Sequence, residues 1–153
     1  MTYLTAAMAS ASLLMSSWTG SVAQATAWTW TLYEGDGPLV LANEVPDSPQ
    51  LKTTFECVAG SGVARVSVYG SSLGAGFASV ISGSGATAAQ AQSQTELGRG
   101  GKVSLAVRTD HPVFGQFVAT GDLVVAVGGQ RQTVTVESTH LAKLRRFADL
   151  CSG

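Results

Sequence analysis

The chain has 153 residues, 45% apolar and only 12% charged, where an average soluble domain is roughly 25% charged. Nine Lys and Arg against ten Asp and Glu leave a formal net charge of −1, which argues against nucleic acid as a partner because phosphate binding needs a net basic face. An apolar, nearly neutral chain is not a disordered one. The length suits one domain with its own core, and 18 glycines without a G-X-Y period predict many turns between short strands.

No charged residue precedes Glu34, and the first basic residue is Lys52. Residues 6–22 hold Ala, Leu, Met, Trp, Ser and Thr with no polar group larger than a hydroxyl, and they run into Ala23-Gln24-Ala25. An apolar stretch ending in two small residues at A-x-A spacing is the pattern of a secretory signal. Residues 1–25 are therefore expected to be a cleaved signal peptide and residues 26–153 a single β-rich domain, placed in the periplasm or secreted. The basic n-region of such signals is missing here. No other stretch is apolar enough to span a bilayer.

Trp28-Thr29-Trp30-Thr31-Leu32-Tyr33 alternates, placing Trp28, Trp30 and Leu32 on one strand face. Glu34-Gly35-Asp36-Gly37 is a turn, residues 38–43 a return strand, and residues 44–49, with two prolines, a loop. Leu51, Thr53, Phe55 and Cys57 point one way on the next strand while Lys52, Thr54 and Glu56 point the other. Ala59-Gly60-Ser61-Gly62 then turns into residues 63–69, with Val66 and Val68 inside and Arg65 and Ser67 outside.

Residues 77–82 read as a strand and Gly83-Ser84-Gly85 as a turn; residues 86–94 lack large side chains and fit either an edge strand or a short helix. Gly98-Arg99-Gly100-Gly101 is a loop, and residues 103–107 alternate as a strand. Thr109-Asp110-His111-Pro112 predicts a helix start with Asp110 as cap and Pro112 in the first turn. Val113, Phe114, Phe117 and Val118 share that helix's inner face, and Gly121 ends it. Residues 123–127 and 130–136 form a hairpin around Gly128-Gly129. Ser138 or Thr139 is the expected cap of a last helix, whose stripe of Leu141, Leu144, Ala148 and Cys151 Phe147 can join.

Eight or nine strands with one short internal helix and a C-terminal helix predict an antiparallel β-sandwich or roll. Two cysteines and two histidines, none at zinc-site spacing, give no metal set, and no cofactor is expected. The helix stripe ends in Cys151 and the inner face of the third strand ends in Cys57, so packing one on the other predicts a Cys57–Cys151 disulfide, in keeping with export.

No G-x-S-x-G occurs. A hydrolase would have to use Asp110 and His111 with a serine brought near by the fold; the simpler reading is that Asp110 caps and His111 is solvated. Lys143, Arg145 and Arg146 form the one local basic cluster, suited either to a helix C-terminal half or to an acidic partner. Loops on a rigid sheet commonly hold binding residues, so Arg99, Lys102, Asp110 and His111 are the expected functional rim.

The run Phe55-Glu56-Cys57-Val58-Ala59-Gly60, followed by Val66-Ser67-Val68-Tyr69 and closed by Phe147-Ala148-Asp149-Leu150-Cys151, resembles small exported bacterial proteins of the invasion-associated locus B-like and type VI secretion accessory kinds. It is also similar to membrane-bound lysozyme inhibitors of the c-type class, whose aromatic-x-Cys strand opens a small barrel and which present a Ser-Gly-x-x-Tyr loop. Ser84-Gly85-Ala86-Thr87-Ala88 has no tyrosine there, and Ser61-Gly62-Val63-Ala64-Arg65 has Arg65 in its place. The export signal, the expected disulfide, the β-rich layout and the absence of a catalytic set point to a non-enzymatic envelope protein whose partner is another envelope or secreted protein; the similarity to lysozyme inhibitors makes inhibition of a cell-wall hydrolase the alternative.

Overall fold

Alternation along the strands sets the layers. A computed structural model describes residues 27–96 and 100–153; the expected signal peptide and Arg99 lie outside the described residues. On β3 (Leu51–Cys57) Thr53, Phe55 and Cys57 are buried on the inner face. Phe55 faces Leu41 of β2 (Leu39–Glu44) on one side and Val66 of β4 (Val63–Tyr69) on the other. Val66 in turn faces Leu105 of β7 (Gly100–Arg108). Outside β2 lies β1 (Thr29–Tyr33), which contributes Trp30 to the core.

The second half of the sheet comprises β5 (Gly76–Ser82), β6 (Gly85–Glu96), β8 (Asp122–Val127) and β9 (Gln130–Thr135). All pairings are antiparallel, and the nine strands form one curled sheet in the order β1-β2-β3-β4-β7-β6-β5-β8-β9, as the mainly β reading expected. The curl is made by β6. Its residues 85–91 pair with β5 and its residues 92–96 with β7, so this one strand passes from one half to the other. That settles residues 86–94 as strand: small side chains suit a strand that bends between two partners and carries little packing of its own.

Two helices cover one end of the roll, α1 (Pro112–Thr120) against β5 and β6, and α2 (Leu141–Ser152) against β1 and β2. Their inward faces are Val113, Phe114 and Phe117 on α1 and Leu144, Phe147, Ala148 and Cys151 on α2. Phe55 lies at the centre, with ring centroids 5.0 Å from Phe117, 5.9 Å from Trp30 and 6.3 Å from Phe147. Truncating such a ring to alanine costs about 3–5 kcal/mol.

Cys57 and Cys151 are joined by the expected disulfide, with their Cα atoms 6.0 Å apart. Beside it the β3–β4 turn closes the end of α2: the Gly60 N–H donates to Leu150 O and the Gly62 N–H to Cys151 O, both at 2.9 Å. Those carbonyls have no partner within the helix, and the turn supplies one.

Two helix starts differ from the sequence expectation. At α1 the cap is His111, whose Nδ1 accepts the Val113 N–H at 3.2 Å, because the Asp110 carboxylate is turned to Arg108. At α2 a 3₁₀ turn, Ser138–His140, leads into the helix, so the cap positions fall on Glu137 and His140 instead of Ser138 or Thr139, and neither makes a side-chain cap bond. At the far end of α1, Gly121 has φ 85° and sends its N–H to Phe117 O at 2.7 Å, the left-handed closure that favours glycine.

Candidate interaction surface at the β6–β7 fork

Of the expected rim, Arg99 lies outside the described residues, and Lys102 stands far along β7 from Asp110 and His111. Lys102 stands near the start of β7, its ammonium 5.6 Å from the Tyr69 ring centroid. Asp110 and His111 follow the other end of the same strand. The extended chain from Lys102 to Arg108 alone spans about 20 Å. Asp110 is held by Arg108 through a bond from Nε at 2.8 Å and one from Nη2, and these hydrogen bonds hold its carboxyl below the usual carboxylate range. His111 is engaged in capping, and among the described residues no serine hydroxyl hydrogen-bonds to it.

The basic cluster on α2 is likewise dispersed. Lys143 Nζ donates to Trp30 O, while Arg146 pairs with Glu34 at 3.2 Å. Arg145 is exposed. Trp28 stands just before β1, more than a third exposed, with the Lys52 ammonium 4.2 Å from its ring centroid, so it does not join Trp30 in the core. Among the described residues no group of three His, Cys, Asp or Glu side chains is placed to hold a metal ion, and no helix is long and apolar enough to cross a membrane.

A more coherent surface forms where β6 leaves β7. The ladder between them ends at Gln92 opposite Ser104, and beyond that point the strands diverge into a fork. A hollow of about 240 Å³ lies in the fork, lined by Gln90, Gln92, Ser104, Leu105, Ala106 and Arg65. A second hollow of about 260 Å³ lies on the other side of Arg65, against Glu56, Val58 and Val63. Arg65 and Ala106 belong to both. Arg65 is exposed and carries no ion pair among the described residues, whereas its cross-strand neighbour Glu56 accepts from Thr54 Oγ1 at 3.0 Å.

The outer face of β5, β6 and β8 continues this surface. Phe77 pairs across from Gln90 and is 87% exposed. Beside it lie Ser79, Ala88 and Ala126, then Ile81, Ala86 and Val124. Ile81, Val124 and Ala126 are half-buried, and the patch is bounded by Asp122 on β8 and by Arg131 on β9, opposite Ala126. Val58 and Val63, 66% and 42% exposed, continue the apolar character past Arg65.

The alternation along β4 puts Arg65 on its outer face, but nothing in the sequence fixes how far β6 follows β7. Phe77 left no signal of its own, because Phe77, Ser79 and Ile81 make as apolar a face as the buried Ala78, Val80 and Ser82. No protein-family model, curated protein or solved structure matches the chain.

Proposed function

We propose that the chain is a non-enzymatic exported protein of the bacterial envelope, periplasmic or secreted, that acts by binding another protein as an accessory module. The observation that carries the reading is Phe77, a whole aromatic ring left in water on the outer sheet face beside an open fork. A contiguous exposed apolar patch rimmed by polar residues is characteristic of a protein interaction site, and aromatic anchors dominate such interfaces. Support for export comes from the Cys57–Cys151 bond, which suits an oxidising compartment, and from the uncharged leader ending in Ala23-Gln24-Ala25.

The test is site-specific photo-crosslinking in the envelope from a reactive residue replacing Ser79, with products identified by mass spectrometry. One dominant adduct that disappears in Phe77→Ser is the expected result. Adducts spread over abundant proteins, unchanged by Phe77→Ser, would overturn it. A second reading, inhibition of a cell-wall hydrolase, draws support from Ser61 and Arg65 lining one hollow. Slowed turbidity clearing by lysozyme that is restored with Arg65→Gln would favour it over the first.

A further inference from the structure

We propose that the β6–β7 fork receives an extended, acidic segment of a partner protein as an added strand, with its backbone pairing to Ala106 and Arg108 and a carboxylate meeting Arg65. The proposal rests on the protein-binding reading above and names the chemistry of the partner.

Hydrogen-bond phase carries the argument. In an antiparallel strand the N–H and C=O of one residue point to the same side, and successive residues alternate. The Thr109 N–H donates to Gly62 O at 2.9 Å, and Gly101 O accepts from the Ser71 N–H at 3.1 Å. Odd-numbered residues of β7 therefore face β4, and even-numbered ones face β6. Lys102 and Ser104 meet Gln94 and Gln92 there. Ala106 and Arg108 face the fork, where β6 has already turned away to β5. The Arg108 carbonyl accepts the His111 N–H at 3.3 Å, and the β6–β7 ladder stops at Ser104, so the Ala106 N–H and C=O and the Arg108 N–H lie along an edge that the ladder does not reach. Across the fork the same alternation turns the backbone of Gln90, Ala88 and Ala86 toward the gap. Unpaired strand edges are templates for another strand, and adding an extended peptide to one is an established mode of recognition.

Charge selects the occupant. Val40, Glu56, Arg65 and Ala106 form one row across the outer face, and an added strand would supply the next position. Ala106 interposes only a methyl group, so the Arg65 guanidinium can reach over it toward the newcomer. A carboxylate there gains a charge-assisted bond. A second copy of this chain pairing edge to edge about a two-fold axis would instead set two Arg65 side chains over the same row, and like charges facing across strands are unfavourable. The chain's own leader carries no carboxylate before Glu34.

Amide hydrogen exchange of the full chain tests the open edge directly. Ala106 should exchange fast while Leu105 and Val107 are protected by β4. The probe is a short synthetic peptide of alternating threonine and valine with one central aspartate. At millimolar peptide the Ala106 amide should become protected, and the asparagine version should bind about tenfold more weakly, as should the aspartate peptide to Arg65→Gln. Ala106→Pro removes a donor that faces only the fork, so it should abolish binding with an unchanged near-UV circular dichroism spectrum. Protection of Ala106 in the free chain, no protection with the peptide, or equal binding by Ala106→Pro would each overturn the proposal. So would a dimer, seen by light scattering, whose formation protects Ala106. A partner crosslinked from position 79 that Ala106→Pro does not disturb would defeat strand addition and leave the binding reading standing.

Discussion

The Trp30 indole N–H donates to the Thr135 carbonyl at 3.2 Å, bridging β1 and β9, the two ends of the sheet order, which never pair as strands. Lys143 of α2 reaches the same place by donating to the Trp30 carbonyl. One side-chain bond and one helix thus close a roll whose backbone ladder stays open. Each outer strand is touched at one carbonyl by these contacts, Trp30 O on β1 and Thr135 O on β9.

Trp30→Phe keeps an aromatic ring against Phe55 but removes the donor to Thr135. The loss of one net hydrogen bond and part of the ring volume should lower stability by about 1–2 kcal/mol. Urea denaturation should show a lower midpoint at an unchanged slope. An unchanged midpoint would mean that the bridge contributes nothing to closure.

The disulfide links positions 94 residues apart, and for that loop the chain-entropy model gives about 4–5 kcal/mol, as an upper bound. Cys57→Ala with Cys151→Ala should therefore destabilise the fold by up to that amount. The Gly60 and Gly62 bonds to the end of α2 should persist in the double variant. Hydrogen exchange at those two amides, compared with the wild type, separates loss of the covalent tether from loss of the turn–helix contact. Intact mass with and without reductant reads the bond itself, and two alkylatable thiols before reduction would contradict it.

How much of this was legible from sequence follows from the range of the forces involved. Period-two alternation on β3, β4 and β7 identified Phe55, Val66, Val68, Val103, Leu105 and Val107 as inner residues, because the large apolar side chains recur on one face and the polar ones on the other, although Thr54, Ser67 and Ser104 on that second face are buried as well. The 3.6-residue stripe that ends in Cys151 and the strand face that ends in Cys57 predicted their bond, since each pattern sets a direction. The fork left no such trace. Where β6 stops following β7 depends on the curl of the whole sheet, and residues 86–94 have too little side-chain volume to mark a face. The cap of α1 was misassigned for a local reason: Asp110 has the better capping chemistry, but Arg108 two residues away claims its carboxylate. Lys102 and Asp110 are close in sequence only along a strand, which separates residues faster than any other element, so Lys102 stands at one end of β7's ladder with β4 and Asp110 beyond the other.

Tyr33 donates to the Glu44 carboxylate, and this hydrogen bond, which ionisation of the phenol would destroy, raises its pKa above the ordinary 10.0. The neutral phenol is favoured in the fold, so the contribution to stability is fully present below pH 10 and is lost as pH rises through the raised value. With Tyr3→Phe and Tyr69→Phe, Tyr33 is the one remaining phenol among the three tyrosines. Its phenolate absorbance should titrate above the ordinary range, and Glu44→Gln should bring the midpoint back toward it. A midpoint that Glu44→Gln does not move would assign the shift to something other than this pair.

On the outer face of the sheet Ser67 and Ser104 are buried, 3% and 7% exposed, with their hydroxyls 2.8 Å apart. They stand directly opposite each other on β4 and β7, one row away from Arg65 and Ala106. A buried hydroxyl that loses its partner costs about 1–3 kcal/mol, whereas replacing both members by apolar groups of similar shape is nearly neutral. Ser67→Ala alone should therefore destabilise the protein, as should Ser104→Ala alone, and the double variant should be more stable than the sum of the two predicts. A double-mutant cycle in urea measures that coupling. Additive losses would show that the two hydroxyls are satisfied independently. Because Ser104 also faces Gln92 at the last rung of the β6–β7 ladder, exchange at the Gln92 amide in the same variants reports whether the pair helps to set where the fork begins. Faster exchange there in Ser104→Ala than in Ser67→Ala is the expected result.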